Sequence, residues 1–393
     1  MVQQIRIASY NVENLFSRPR ALNQPEPVAA AVLRAHARVN ELFEQEVYTP
    51  AVKAEMLQLL KELKLLRDDG DATRTSTFAV LRRIRGRLLR RPQNDPDGSQ
   101  VTVVASGRSA WTGWVDLIKD RIDEKAITNT ARVIREVGAD VVGIVEAEDR
   151  LTLARFTDSL LLAPVTGDPI YPHVMVIDGN DPRGIDVGIL STAGFPVTRM
   201  RSHIDDGPFG DRVFSRDCPE YWFTFPAGSA LAGEQLVILV NHFKSKFGGN
   251  NPASIARRKR QSKQTADIYN ALRTAGVEHI VVLGDFNDTP DSEALRPLLV
   301  ETDLTDIASV QPFDDGDPDE DRPGTFGNGT KSSKIDYLLL SPSMRARANG
   351  AGIFRKGVWG GVNGTLFPHF DTIEAEHQAA SDHAALYVDI DLD

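Results

Sequence analysis

Asp285 and Asn287 stand two residues apart at the end of a short apolar run, Val281-Val282-Leu283-Gly284. A carboxylate accepts hydrogen bonds or holds a cation, and a carboxamide both donates and accepts. In an extended chain residues two apart point the same way, so the pair addresses one site if the strand runs that far. Such a pair suits a metal, a water or a phosphoryl oxygen, although Gly-Asp-x-Asn is also an ordinary turn sequence. Polar groups sit in or beside further apolar runs. Asn11 closes residues 5–11, Glu146 closes 140–146, and His242 follows 236–240 with Lys244 two residues on. Asp336 lies inside 334–340, and Asp382-His383 precedes 384–390.

These residue types fit work on a phosphate ester. An anionic ester repels nucleophiles, so its hydrolysis needs cations on the phosphoryl oxygens and a base for water. An aspartate beside a histidine selects the tautomer and raises the fraction of imidazolium. Each residue also has a plain structural role open to it. Glu146 can be a solvated strand end, Asn11 a cap, and His383 a hydrogen-bonded core histidine. His242 and Lys244 can be structural too. Asp336 can lie at the surface of its strand, although apolar neighbours on both sides make an unpaired charge costly there.

The elements that must carry these groups are legible from periodicity. Strands are predicted at residues 5–11, 140–146, 185–190, 221–225, 236–240, 334–340 and 384–390, besides the run at Val281. Helices are predicted at 127–137, closed by Gly138, at 151–162 and at 254–275, where Arg257, Arg258, Lys259 and Arg260 make a basic start. A helix feeding a strand that ends in a carboxylate is where α/β proteins keep chemistry. Arg183 and Asp186 flank the start of one strand, fit either to contact a phosphate at the site's rim or to form a salt bridge. Residues 17–126 shift towards helix formers and charge, with Arg82, Arg83, Arg85, Arg87, Arg90 and Arg91 close together. That stretch reads either as a basic flap for DNA, RNA or another polyanion or as a charged outer helix face. Trp111 and Trp114 suit core packing or stacking on a base. His369 and His377 flank Asp371 at a spacing that matches no zinc pattern, and the acidic stretch 314–321 lacks the spacing of a helix–loop–helix calcium site.

The chain has 393 residues, 41% hydrophobic and 25% charged, which is a globular composition with ample core. Its net charge of −10 argues against a protein that coats nucleic acid nonspecifically, but leaves room for a local basic cleft. Cys218 is the single cysteine, so an internal disulfide framework and a multi-thiolate metal site are excluded and a reducing compartment is favoured. With no signal-peptide pattern and no membrane-spanning apolar stretch, a cytoplasmic location without membrane insertion is expected.

Taken in order, Ser9-Tyr10-Asn11, Val145-Glu146, Asn241-His242, Gly284-Asp285-Phe286-Asn287, Lys334-Ile335-Asp336-Tyr337 and Ser381-Asp382-His383 resemble the endonuclease/exonuclease/phosphatase superfamily. The resemblance covers residues 1–16 and 127–393 and leaves 17–126 as a largely helical, arginine-rich insertion. It implies a four-layer α/β sandwich, with two mixed β-sheets face to face and helices outside. It implies hydrolysis of a phosphate ester with Mg²⁺, or with Mn²⁺ or Ca²⁺ in its place. By the same resemblance Glu146 is the main metal ligand, with Asn11 and Asp382 nearby. Asp285 orients or deprotonates water, Asn287 holds the phosphoryl group, and His383 with Asp336 contacts the phosphate or transfers a proton. His242 matches a second family histidine. Arg183 and Lys244 are added as phosphate contacts. A phosphodiesterase, in particular a nuclease, is the first expectation. A phosphomonoesterase of a sugar, nucleotide or inositol phosphate is the alternative, and a catalytically silent binding protein is a third.

Overall fold

The apolar runs become the strands of two sheets because their side chains alternate between two hydrophobic layers. A computed structural model describes residues 4–15, 18–23, 26–66, 75–90, 101–120, 123–181, 184–208, 211–246, 251–317 and 322–393. The chain divides into two compact units, residues 1–16 with 122–393, and residues 17–121.

In the larger unit one sheet runs Phe313–Asp314, Ala348–Phe354, Ala385–Asp391, Gln4–Leu15, Val141–Ala147, Asp186–Ser191, His173–Ile177. The other runs Arg199–Arg201, Glu220–Thr224, Gln235–His242, His279–Asp285, Asp336–Leu340, Thr305–Asp306. Both are mixed. Gln4–Leu15 is parallel to Val141–Ala147, and Gln235–His242 is parallel to His279–Asp285, within otherwise largely antiparallel sheets.

One core lies between the sheets, with Ile5, Ile7, Val141 and Val145 from the first meeting Ile238, Val240, Val281, Leu283 and Leu338 from the second. Residues of opposite parity face outward under helices. Ala8, Tyr10, Val142 and Ile144 pack with Val133, Ile134 and Phe156, while Val237, Leu239, Val282 and Leu339 pack with Ala266, Tyr269 and Leu298. This makes four layers: helix, sheet, sheet, helix. Val281, Val282 and Leu283 are fully buried because their strand serves two cores. Each contributes about 1.5–3 kcal/mol by leaving water, which anchors the strand's polar end.

Two helices lead into the strands that matter most. Glu124–Val137 is capped by Asp123, which accepts from the Lys125 N–H, and closes on Gly138 in the left-handed region. Pro252–Thr274 starts with Pro252 in its first turn, and Asn251 accepts from the Ser254 N–H. Among the described residues no helix is long and apolar enough to cross a membrane.

The smaller unit has its own core. The helices Glu26–Phe43 and Pro50–Glu62 supply Val39, Leu42, Met56 and Leu60, which pack with Ala79, Trp111 and Val115. Ala79–Gly86 and Trp111–Leu117 form a two-stranded ribbon, and two shorter ribbons accompany it. The arginine-rich stretch therefore runs as a strand here, not along a helix face. Arg91 lies outside the described residues.

Candidate active site

Parallel strand pairs end together, and both pairs end at one edge of the sandwich. In the second sheet His242 is the register partner of Asp285, and Asp285 of Asp336. The three side chains thus form one row across three adjacent strands. Two residues behind them, Val240, Leu283 and Leu338 face the inter-sheet core. By strand alternation the row faces the other sheet.

Gly284 makes the row possible. Its φ is +127°, and a Cβ at that position would lie 1.9 Å from the Asn241 carbonyl oxygen. Only glycine fits so close an approach of two backbones.

Across the gap, Asn11 has the same parity as Ile5 and Ile7 and so faces inward. Its Nδ2 reaches Asp285 Oδ2 at 3.3 Å and Glu146 Oε1 at 3.4 Å, and lies 3.5 Å from His383 Nε2. Its Oδ1 accepts from the Glu13 N–H at 3.0 Å.

Glu146 reaches this gap only through a β-bulge. Val145 packs in the inner core and Ala147 in the outer one, so simple alternation cannot account for the residue between them. On the neighbouring strand Val187 pairs with Val145 and Asp186 with Ala147, which leaves Glu146 as the extra residue. Its φ is +69°, a left-handed conformation that costs a non-glycine residue about 1–2 kcal/mol. The bulge brings Glu146 Oε1 to 3.6 Å from His242 Nε2, which is itself 3.7 Å from Asp285 Oδ2.

The strand carrying Asp285 ends there, so Asn287 takes its place from a turn. Asn287 has φ +54°, its N–H donates to Asp285 Oδ1 at 2.7 Å, and its Nδ2 donates to Oδ2 at 2.9 Å. The motif is therefore a turn, and the turn places Asn287 against Asp285. Behind it, Asp288 pairs with the buried Arg258 at 2.9 Å and with Lys246 at 2.7 Å, tying the turn to the long helix.

Asp336 Oδ2 accepts from His383 Nδ1 at 2.8 Å and from Thr325 Oγ1 at 2.5 Å. His383 is buried beside Phe326, with ring centroids 4.9 Å apart. Burial opposes protonation of the imidazole. The charges of Asp336, Asp382 and Asp285, with the Asp336 hydrogen bond, outweigh it and raise His383 well above the ordinary histidine range. Burial and the charge of Asp336 push Asp285 well above the usual carboxylate range, against the pull of His383 and the Asn287 N–H. Asp382 is the more exposed neighbour. Its Oδ1 is 3.7 Å from His383 Nε2, and its N–H donates to Glu13 Oε2 at 3.0 Å.

Four carboxylates, from Glu146, Asp285, Asp336 and Asp382, thus converge with Asn11, His242 and His383. One atom each from Asp285, Asp336 and His383 lies within 4.8 Å of the other two. Buried like charges need a counter-charge, and His383 supplies one. The side chains of Glu146 and Asp382 are 17% and 44% exposed, against 3% and 4% for Asp285 and Asp336. A hydrated cation has solvent access to the first two. Hard oxygen donors open to solvent fit a cation such as Mg²⁺, which keeps several waters.

The description "Endonuclease/Exonuclease/phosphatase family" belongs to the family model that matches residues 119–383. The chain belongs to this family. Endonuclease/exonuclease/phosphatase proteins are phosphoester hydrolases that generally depend on divalent metal. A family protein from Bacteroides thetaiotaomicron superposes with a TM-score of 0.49 at 15% identity, covering 68% of this chain and 87% of its own. A mannosyl-6-phosphatase from the same organism gives 0.47 at 14%, covering 67% and 90%. The catalytic domain of human nocturnin with bound sulfate gives 0.46 at 14%, covering 70% and 89%. No curated protein matches the sequence.

Of the residues singled out from sequence, the family fold gathers Asn11, Glu146, His242, Asp285, Asn287, Asp336, Asp382 and His383. Lys244 lies beyond its strand, where its Nζ donates to the Ser245 carbonyl at 3.1 Å and its N–H to Gln261 Oε1 at 2.8 Å. Arg183 lies outside the described residues. His369 Nδ1 donates to the Phe370 carbonyl oxygen at 2.9 Å and its ring stacks on Trp359, while His377 pairs with Asp123 at 3.4 Å. They form no shared cluster with Asp371 among the described residues. Of the acidic stretch, residues 318–321 lie outside the described ones.

Sequence reading assigned no role to Glu13 or Thr325. Glu13 stands two residues after Asn11, a spacing that could have flagged it. Thr325 is eleven residues from its partner Asp336, and no local pattern signals it.

Proposed function

We propose that the protein is a divalent-metal-dependent phosphodiesterase acting on nucleic acid. One observation carries the reading: metal-compatible carboxylates, a water-orienting Asp–Asn pair and an Asp–His dyad meet at one sandwich edge. Glu146 and Asp382 hold the cation, with Asn11 aligning Glu146 and Asp285 through its amide. Bound there, Mg²⁺, or Mn²⁺ or Ca²⁺ in its stead, supplies positive charge for the phosphoryl oxygens.

The protein's own groups do the rest. Asp285 accepts a proton from the attacking water, and a carboxyl raised by burial is a better base near neutral pH than an ordinary aspartate. Asn287 holds Asp285 in orientation, its Nδ2 shared between Asp285 Oδ2 and the Phe243 carbonyl oxygen. His383, kept protonated by Asp336, donates to a phosphoryl oxygen or to the leaving group. His242 adds a second donor between Glu146 and Asp285. Lys244 contributes positive charge beside the strand end that carries His242. The single cysteine, Cys218, is buried and supports a reducing, cytoplasmic setting.

The test is hydrolysis of a generic diester and a generic monoester, with and without EDTA. Diester turnover abolished by EDTA and restored by Mg²⁺ is expected, together with its loss in Glu146→Gln. Turnover of the monoester alone transfers the reading to a phosphomonoesterase. Turnover of neither by a folded protein leaves a binding protein on this fold.

A further inference from the structure

The smaller unit carries a surface that the proposed reaction does not use. One face of the Ala79–Gly86 and Trp111–Leu117 ribbon is consumed by packing: Ala79, Trp111 and Val115 are buried, and Trp111 meets Phe43 edge-on at 4.7 Å. The opposite parity forms the other face. There Arg82 is the register partner of Trp114, Arg85 of Thr112, and Val80 of Asp116.

Trp114 is 41% exposed, an unusual placement for so large an apolar group. Asp116 holds it in place. Its Oδ1 accepts from Trp114 Nε1 at 2.6 Å and its Oδ2 from Arg82 Nε at 2.8 Å. The indole and a guanidinium are thereby set side by side before any partner arrives. Arg85 Nε donates to Thr112 Oγ1 at 3.0 Å, on the same face.

The register slips between Arg83 and Arg85, so Ile84 is an extra residue at the ribbon, 68% exposed. Arg82, Arg83, Arg85, Arg87 and Arg90 are all exposed. Between residues 79 and 90 there is no acidic residue, in a chain whose net charge is −10. A basic face on an acidic protein selects an anionic partner. An exposed aromatic ring beside guanidinium groups further selects one that has both flat rings and phosphates. A duplex hides its base faces in the stack, whereas a single strand offers them.

We infer that this Arg82–Arg85–Trp114 face is a docking surface for single-stranded nucleic acid, one base stacking on Trp114 while the arginines contact phosphates. The choice of polymer rests on the nuclease reading; the placement rests on the ribbon's own charge and exposed indole.

Binding is measured by fluorescence anisotropy with a labelled mixed-sequence single strand and the matching duplex. The full chain carrying Glu146→Gln is used in EDTA, so that no strand is cut. The single strand binds more tightly than the duplex, and raising salt weakens it. Adding Trp114→Ala weakens single-strand binding by about 5- to 150-fold, the range found for loss of one base stack. Arg82→Ala with Arg85→Ala lowers the magnitude of the logarithmic salt slope for the single strand by about 1.4. In the chain with native Glu146 these ribbon variants leave hydrolysis of a small generic diester unchanged. Should Trp114→Ala unfold the ribbon, judged by near-ultraviolet circular dichroism, the exposed Arg85→Glu decides, with weaker binding expected. Equal affinity for duplex and single strand overturns the inference. So does binding indifferent to these substitutions, or binding to anionic lipid vesicles without binding to the strand. Failure of hydrolysis with strand binding intact sinks the nuclease reading alone; loss of strand binding with diester hydrolysis intact sinks this one alone.

Discussion

Asp336→Asn separates charge from geometry at the dyad. Asp336 Oδ2 accepts from both His383 Nδ1 and Thr325 Oγ1, and an asparagine oxygen in that place accepts the same two bonds. What disappears is the negative charge that keeps His383 well above the ordinary histidine range. With burial then opposed only by the charges of Asp382 and Asp285, the imidazole loses its proton at lower pH, and the alkaline limb of the rate profile moves to lower pH. Positioned acid–base groups contribute about 10² to 10⁴ in rate, or about 2.7–5.4 kcal/mol of barrier. A fall in kcat/KM of that size is expected, and the double variant with His383→Ala should fall little further than His383→Ala by itself. Stability follows the sign of the shift. A raised folded-state histidine pKa stabilises fully below the unfolded value, about 6.5, and that stabilisation is lost as pH rises through the folded value. The gap between wild type and Asp336→Asn, measured in urea with EDTA present, is therefore widest between about pH 5 and 6.5 and narrows on the alkaline side. Wild-type kcat/KM with an unshifted alkaline limb would refute the dyad.

Three further expectations follow from particular backbone and side-chain placements. Glu146→Gly relieves the left-handed backbone at φ +69°, so it should raise stability by about 1 kcal/mol while abolishing hydrolysis; a urea midpoint below wild type contradicts the strain argument. Gly284→Ala sets a Cβ 1.9 Å from the Asn241 carbonyl oxygen and should cost on the order of 3 kcal/mol, read from the same titration. Burial, with Asp178 and Asp181 near, raises Asp186 to about 7 against the N–H of Gly179. A raised carboxyl stabilises below its unfolded pKa and loses that contribution as pH rises through 7, so Asp186→Asn should flatten the fall in stability between about pH 4 and 7; a parallel fall in the variant rules Asp186 out as its source.

The strands and their polar ends were legible because apolar alternation is local. Ile5 to Asn11, Val141 to Glu146 and Val281 to Asp285 need only their own side chains to declare a buried strand with a polar terminus. The helix stop at Gly138 depends on neighbours within four residues, and local patterns reach that far, whereas the helix starts at Glu124 and Pro252 lie before the predicted positions 127 and 254. The arginine-rich stretch was ambiguous for a related reason: charge spacing does not separate an exposed strand from a helix face, and pairing with Trp111–Leu117, some 30 residues on, decides it.

The site itself belongs to the tertiary structure. Alternation would turn Glu146 away from Asp285, and only pairing with Asp186–Ser191 reveals the bulge that turns it back. Asn287 meets Asp285 through a turn, after the strand has ended. Glu13 matters because Asp382 arrives beside it from the far end of the chain, and Thr325 because the loop that follows it brings Asp336 back to its hydroxyl. The sequence by itself determined which residues could do phosphate chemistry and which elements carry them, since residue type and periodicity are written along the chain. Only the tertiary structure decided that Asp285 and His383 are both raised, because burial at Asp285 and the charge of Asp336 at both act through space between residues that sequence holds 51 and 47 positions apart.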